Sequence, residues 1–241
     1  MAEKPMKIEG NRRLEMRPVD GEGTTRGVPQ NLLVIGGILA LVVIAGVAWF
    51  VLRGAGSSEN DVAAMELGRL TDLLDQGEYA KAIDGDPTIL IDGTPMKGLR
   101  AIVDAYGGTG AGKAAALQLG EAYLATGKPS EAAEAYQVAA ESDENLVRAA
   151  ALAGLASVAE AEGNFAEAAA RYDEAAALYG VEDTHAELIR PLYLFAAAKN
   201  YESAEGKDAA IERYREIAMR YPSSEQNSVA RFALARYGIE I

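Results

Sequence analysis

The sequence contains no cysteine and only one histidine, and both shortages limit the chemistry that it can carry out. Without cysteine there can be no disulfide, no thiolate nucleophile and no lipid-modified N-terminal cysteine. A lone histidine, His185, leaves no His/Cys cluster for a transition metal and no plausible Ser-His-Asp set. We therefore predict that the chain is not an enzyme, with no catalytic residues, no metal site and no cofactor.

Aromatic residues are also scarce, at 7% of the chain, and basic residues are outnumbered by acidic ones. The net charge of the chain is −13. Residues 54–241, with 16 Lys/Arg against 31 Asp/Glu, have a net charge of −15. A body this acidic repels phosphate backbones, which argues against nucleic acid as a partner. Few aromatics and abundant alanine between Ala114 and Ala198 favour closely packed helices, so we predict an all-α fold.

A pattern of small and aromatic residues recurs three times in the second half of the chain. With Lys113 as position 1, positions 7, 8, 11, 15, 20, 24 and 27 are Leu119, Gly120, Tyr123, Gly127, Ala132, Tyr136 and Ala139. Matching frames begin at Ala149 and Pro191, which are 36 and 42 residues further on in turn. This is the tetratricopeptide spacing, in which small residues stand where two helices cross closely. It predicts an α-solenoid with helix-turn-helix repeats near 113–144, 149–180 and 191–222.

Two further segments extend the predicted solenoid. Residues 61–106 are interpreted as a degenerate repeat, because a helical stripe over 61–76 precedes a glycine, Gly77, that stands five residues before an alanine. Within it we expect a break with a short extended piece at 84–93, then a helix that starts at Thr94 and Pro95 and runs to residue 106. A capping helix over 224–237 would cover the open apolar end of the stack.

The turn between the two helices of a repeat is marked by glycine. Gly127 with Pro129 predicts a tight break followed by the rigid first turn of the next helix. In the third frame the glycine, Gly206, comes one residue later than the frame requires. We therefore expect a small irregularity in that turn.

An uncharged apolar run occupies residues 32–52. As a helix it would be about 31 Å long, which matches the hydrocarbon thickness of a bilayer. It is longer than the apolar region of a signal peptide, and no small-x-small cleavage site precedes Arg53. A buried core helix of this length without one polar position would be rare. The predicted organisation is a flexible cytoplasmic tail over 1–30, a transmembrane helix over 31–53, a linker over 54–60 and a tetratricopeptide repeat domain over 61–241.

The charges that flank this run predict its orientation. Four arginines lie within about 20 residues on the N-terminal side and two on the other, so the positive-inside bias places the tail in the cytoplasm and the repeats outside. They are Arg12, Arg13, Arg17 and Arg26 before the run, and Arg53 and Arg69 after it. Inside the run, Gly36 and Ala40 form a small-xxx-small pair that could contact another membrane helix.

Residues 107–114 read GGTGAGKA, close to a phosphate-binding loop. Such a loop needs a lysine and then a hydroxyl for magnesium, and it joins a buried strand of a parallel sheet to a helix. Lys113 is present, but Ala114 replaces the hydroxyl and no set of strands follows. We expect no nucleotide binding. A nucleotide-dependent enzyme would instead bind ATP and lose that binding on Lys113→Ala.

The order of these parts resembles the YfgM-like family of bacterial membrane-anchored tetratricopeptide proteins, which are ancillary subunits of the Sec translocon. The similarity is strongest to versions from Bacteroidetes and Chlorobi relatives, over YGGTGAGKAAALQLGEAYLATGK, RPLYLFAAAKNYES and RYREIAMRYPSSE, and it covers Asn31 to the C-terminus. The resemblance implies a single-pass protein of the bacterial inner (cytoplasmic) membrane with a periplasmic repeat domain and protein partners.

The resemblance also implies where a partner would bind, since in this family the first helix of each repeat lines a concave wall. The corresponding residues are Leu117, Glu121 and Leu124, then Ala153, Ser157 and Glu160, then Leu192, Phe195, Lys199 and Glu202. Family members that clamp a C-terminal carboxylate use basic residues and asparagine at these places. Only Lys199 fits that mode here. Alternatively, Leu117, Leu124 and Phe195 simply pack inside the stack.

Two functions remain open from the sequence. The leading hypothesis is a non-catalytic membrane-anchored scaffold whose repeat domain binds protein partners beside a membrane complex such as the Sec translocon. The alternative is a structural accessory subunit of a respiratory, photosynthetic or secretion complex, held mainly through its transmembrane helix.

Overall fold

The computed structural model describes residues 58–91, 93–180 and 185–241, and this part of the chain is predominantly α-helical. The predicted tail, the predicted transmembrane helix with Gly36 and Ala40, and most of the predicted linker lie outside the described residues. Within those residues, no helix has both the length and the hydropathy to cross a bilayer.

The N-terminal part of the body combines short helices with a two-stranded antiparallel hairpin. Its elements are α1 (Ser58–Gly68), α2 (Thr71–Asp75), α3 (Tyr79–Asp84), β1 (Gly85–Ile91), β2 (Thr94–Lys97) and α4 (Leu99–Tyr106). The last three residues of the predicted linker, 58–60, belong to α1. The stripe predicted over 61–76 is divided between α1 and α2. The extended piece expected at 84–93 is largely β1.

The predicted helix start at Thr94 is wrong, whereas the predicted end at Tyr106 agrees with the structure. Thr94 pairs with Ile91 and Pro95 pairs with Leu90, so these residues belong to β2. The helix starts only at Leu99, after an extended Gly98 with φ −88° and ψ 172°. A threonine followed by proline is typical of a helix start. Both residues are also found in edge strands, where the missing N–H of proline breaks no bond to a partner strand.

The second part of the body is a succession of seven longer helices. They are α5 (Gly110–Ala125), α6 (Pro129–Ala140), α7 (Asn145–Ala161), α8 (Phe165–Ala177), α9 (Ala186–Ser203), α10 (Lys207–Arg220) and α11 (Gln226–Arg236). Each packs against the next in chain order, and α5 also contacts α7 while α9 contacts α11. The pairs α5/α6, α7/α8 and α9/α10 fall on the three predicted units, and α11 falls on the predicted terminal helix.

Small residues allow these helices to approach closely. The side chain of Tyr136 on α6 is buried between two glycines, Gly120 on α5 and Gly154 on α7. A Cβ built on either glycine would lie 2.5 Å from the tyrosine ring, which is far inside van der Waals contact. The glycines therefore make room for the ring, and the ring joins the first two helix pairs.

The turns inside the pairs share one conformation. Gly127 has φ 74°, and the following N–H of Lys128 donates to the carbonyl of Tyr123 at 2.8 Å, as in a Schellman motif. In the third pair the left-handed position is occupied by Glu205, with φ 59°, and the N–H of Gly206 donates to Tyr201 at 2.7 Å. The irregularity predicted from the late glycine is therefore a substitution within an unchanged turn.

Candidate protein-binding wall on α5, α7 and α9

The predicted wall residues lie on α5, α7 and α9 and differ in accessibility. Leu117, Ala153 and Ser157 are buried, Lys199 is exposed, and the half-buried ones are Glu121, Leu124, Glu160, Leu192, Phe195 and Glu202. Leu117 packs in the same core cluster as Tyr136, and Phe195 packs against Tyr214 with ring centroids 6.0 Å apart. The accessible part of the wall is therefore formed mainly by carboxylates, half-buried apolar side chains and one lysine.

Each helix pair brings a glutamate from its first helix close to a tyrosine from its second helix. In every pair the negative charge of the carboxylate raises the pKa of the tyrosine, in addition to the larger effect of burial. The three couples are Glu121 with Tyr136, Glu160 with Tyr172, and Glu202 with Tyr214. We call them the glutamate–tyrosine couples.

The first couple contains the most isolated carboxylate. The Oε1 atom of Glu121 is buried and has no hydrogen-bond partner among the described residues, and the same holds for Oε1 of Gln118 one turn earlier on α5. Burial raises the pKa of Glu121 to about 7. Near neutral pH this carboxyl group is therefore divided between its protonated and ionised forms.

The second couple connects three helices. The Nδ2 amide of Asn200 on α9 donates to Oε1 of Glu160 on α7. Burial raises the pKa of Glu160, and the bond from Asn200 opposes that rise. Beside them, the Ser157 hydroxyl donates to the carbonyl of Ala153 at 3.0 Å and lies 3.3 Å from the hydroxyl of Tyr172 on α8. The middle of the wall is thus held by polar contacts that cross from one helix pair to the next.

The third couple holds a fixed negative charge. Glu202 accepts hydrogen bonds from Tyr237 at 2.6 Å, Lys199 at 2.9 Å and Tyr214 at 3.1 Å. Burial raises the pKa of Glu202, but these three bonds together outweigh it and the pKa is lowered. Lys199 is exposed on the wall, and a partner's terminal carboxylate would have to compete with Glu202 for it.

A separate polar cluster ties α8, α9 and α10 together. Arg213 on α10 approaches Asp173 on α8 with Nη2 at 2.6 Å and Nε at 3.1 Å. The Tyr201 hydroxyl on α9 donates to the same carboxylate at 2.9 Å, and the Arg213 guanidinium lies 5.0 Å from the centre of the Tyr201 ring. All three side chains are partly shielded from water, so this cluster fixes the position of α10 against the second helix pair.

The segment that resembles a phosphate-binding loop is a packed helix start. The Thr109 hydroxyl caps α5 by accepting from the N–H of Gly112 at 3.0 Å. The Lys113 amine donates to the carbonyl of Glu141 at 2.8 Å, at the end of α6. Within the described ranges, no group of three or more His, Cys, Asp or Glu side chains is placed to hold a metal ion.

Sequence reasoning missed the partners of the wall glutamates. It singled out Glu121, Glu160 and Glu202 but did not connect them with the tyrosines that recur at position 24 of each frame. It also missed Gln118 and Asn200, which are as buried as their apolar neighbours. The recurrence of a tyrosine in all three frames was the one available signal.

Comparison with protein family models and with curated proteins finds no match to this chain.

Proposed function

We propose that this chain is a non-catalytic scaffold of the tetratricopeptide class, anchored in the bacterial inner membrane through residues 31–53. In this proposal the N-terminal tail is cytoplasmic and the repeat domain is periplasmic. The repeat domain binds protein partners beside a membrane complex, for which the Sec translocon is the leading candidate. The family resemblance and the uncharged run over residues 32–52 support the location.

The observation that carries the scaffold proposal is the polar connection between consecutive first helices. The Glu160–Asn200 bond joins α7 to α9, and α5 contacts α7 directly, so residues from three helix pairs share one wall. Such a shared surface suits an extended protein segment, because each pair contributes only a few contacts. Its carboxylates would accept hydrogen bonds from amide or basic groups, and Leu192 and Phe195 would contact apolar side chains.

Crosslinking in native membranes, followed by copurification and mass spectrometry, tests the scaffold proposal. The wall variant combines Leu192→Ala with Lys199→Ala. The matched control combines Met219→Ala with Arg215→Ala. Both residues are exposed on α10, and these substitutions likewise remove one apolar and one basic side chain. If the chain is a scaffold, we expect fewer crosslinked partners to be recovered with the wall variant and an unchanged recovery with the control. Equal recovery from both variants, or recovery of no partner with the unaltered chain, would contradict it.

The structural accessory subunit remains the second candidate, and the short connection between residues 32–52 and α1 favours it, since the body must lie near the membrane surface. Deletion of residues 54–241, with the apolar run retained, separates the two functions. Continued association of the truncated chain with its complex supports the accessory subunit. Loss of association supports the scaffold.

A further inference from the structure

The β-hairpin contains a bulge, and two large apolar side chains at its end are exposed. Asp86 pairs with Met96, but the next paired residue on β1 is Leu90, so residues 87–89 have no partner on β2. The Asp86 carboxylate accepts from the N–H of Thr88 at 2.9 Å and from its hydroxyl at 2.6 Å, which holds the bulge in shape. Bulges of this kind redirect side chains at the edge of a sheet.

The two faces of the hairpin differ in what they contact. Met96 is buried and Ile91 is half-buried, and both pack on the apolar cluster formed with α1. Ile89 and Leu90 lie outside this contact, with 42% and 63% of their surface exposed. Single apolar residues are common on protein surfaces, whereas Ile89 and Leu90 are adjacent and together form a small exposed apolar patch.

The hairpin is poorly suited to accept a further strand. Pro87 lies in β1 and Pro95 lies in β2, and neither can donate a backbone hydrogen bond. Each edge of the two-stranded sheet therefore carries a residue that discourages strand addition. This favours a partner that recognises the apolar side chains without using the backbone, as the boundary of a lipid bilayer does.

The hairpin is attached close to the proposed anchor. Only residues 53–57 separate the apolar run from Ser58, and even fully extended they span about 20 Å. The base of the hairpin is fixed to α1, where the Lys97 amine lies 3.7 Å from the Glu66 carboxylate. Glu66 is about 12 Å along the helix from Ser58. The exposed pair on β1 is therefore within reach of the membrane surface.

We propose that Ile89 and Leu90 insert into the boundary between headgroups and acyl chains of the bilayer that holds residues 31–53. This inference rests on the proposed membrane anchor. The cations at the base of the hairpin, Lys81, Lys97 and Arg100, each pair with a carboxylate, so the proposed insertion rests on the two apolar side chains rather than on attraction to phosphate groups. Insertion gives the body a second attachment to the membrane, at a site different from the anchor, and so restricts its tilt.

Tryptophan fluorescence of the full chain in vesicles tests this inference, because Trp49 is the only tryptophan. The vesicles contain phosphatidylethanolamine and phosphatidylglycerol, with or without lipid brominated near the top of the acyl chain. The reporter variant combines W49F with L90W, and a second reporter combines W49F with I89W. The matched control combines W49F with F232W, because Phe232 is an equally exposed apolar residue on α11, the last helix.

We expect brominated lipid to reduce the emission of Trp49 in the unaltered chain and of both hairpin reporters, and to leave F232W unchanged. Quenching of Trp49 without quenching of L90W or I89W overturns the inference and leaves the anchor in place. Absence of Trp49 quenching overturns the anchor and, with it, the inference. The emission of L90W could instead move to shorter wavelength only at high protein-to-lipid ratio and without quenching. That result would indicate contact between protein molecules at the hairpin, and it also overturns the inference.

Discussion

The ring of Tyr136 lies so close to Gly154 that a Cβ on this glycine would stand 2.5 Å from the tyrosine Cζ. The glycine is on α7 and the tyrosine on α6, so the contact joins consecutive helix pairs. The ring occupies the space that a side chain at position 154 would need. The position of the second pair relative to the first therefore depends on the absence of one methyl group.

We predict that Gly154→Ala lowers the free energy of unfolding by about 1–3 kcal/mol, which is the usual cost of overpacking a core. The gain of about 1 kcal/mol in helix propensity would be outweighed by the clash with Tyr136. Urea unfolding of the purified chain measures the change. Gly68→Ala is the control, because nothing lies within 4 Å of a Cβ at that exposed position on α1. A destabilised Gly68→Ala together with a stable Gly154→Ala would contradict the packing argument.

The buried carboxyl group of Glu121 predicts a pH-dependent effect of Glu121→Gln. Burial raises the folded-state pKa of Glu121 to about 7, above the value of about 4.5 expected in the unfolded chain. Protonated Glu121 therefore favours the folded state, and the wild-type chain loses stability as pH rises from about 4.5 through 7. Glutamine cannot ionise, so Glu121→Gln avoids that loss.

We expect Glu121→Gln to have nearly wild-type stability at pH 4 and to be more stable by roughly 2–4 kcal/mol above pH 8. Urea midpoints at several pH values measure the difference. Glu131→Gln on α6 is the control, because it makes the same change at an exposed position. A constant offset between wild type and Glu121→Gln at all pH values would show that the carboxyl group is not desolvated.

The Asp173–Arg213 contact predicts a loss of stability for either partner. Asp173→Asn should cost about 1–3 kcal/mol, because Arg213 and the hydroxyl of Tyr201 would both lose a charged acceptor in a partly shielded site. Arg213→Lys should also destabilise, since a lysine cannot supply two parallel donors or the planar contact with the tyrosine ring. Thermal unfolding measures both. Glu212→Ala, which removes only an exposed contact with Arg213, should be near neutral.

The left-handed conformation of Glu205 predicts a stabilising substitution. Glu205→Gly should raise the free energy of unfolding by up to about 1 kcal/mol, because glycine adopts a φ of 59° without steric cost. Glu162→Gly is the matched control. Glu162 precedes the glycine of the second turn in a right-handed conformation, so the same change there should destabilise. The opposite order of the two effects would contradict this account of the turn.

The helical pairs could be predicted because their pattern is local and repeated. The glycines of the first two turns and the small residues at helix crossings recur in frame, so an error at one position does not displace the whole assignment. The third turn shows the limit of this reasoning. Gly206 suggested an irregular turn, but the chain keeps the same geometry and places Glu205 in the strained position, because the packing of α9 and α10 fixes the turn length.

The hairpin and the wall partners could not be predicted in the same way. Thr94 and Pro95 carry the signal of a helix start, and only their pairing with Ile91 and Leu90 makes them a strand. The glutamate–tyrosine couples likewise depend on which faces of two helices meet. Such contacts join residues distant in sequence, and a periodic pattern alone does not define them.

The early start of α1 affects how a pull on the N-terminal side of the chain reaches the helices of the body. The side chain of Asn60, in the first turn of α1, accepts a hydrogen bond from the N–H of Ala111 at 2.9 Å, and so connects the beginning of the body to the beginning of α5. A pull applied at Ser58 therefore reaches α5 by this contact as well as along the chain through the hairpin.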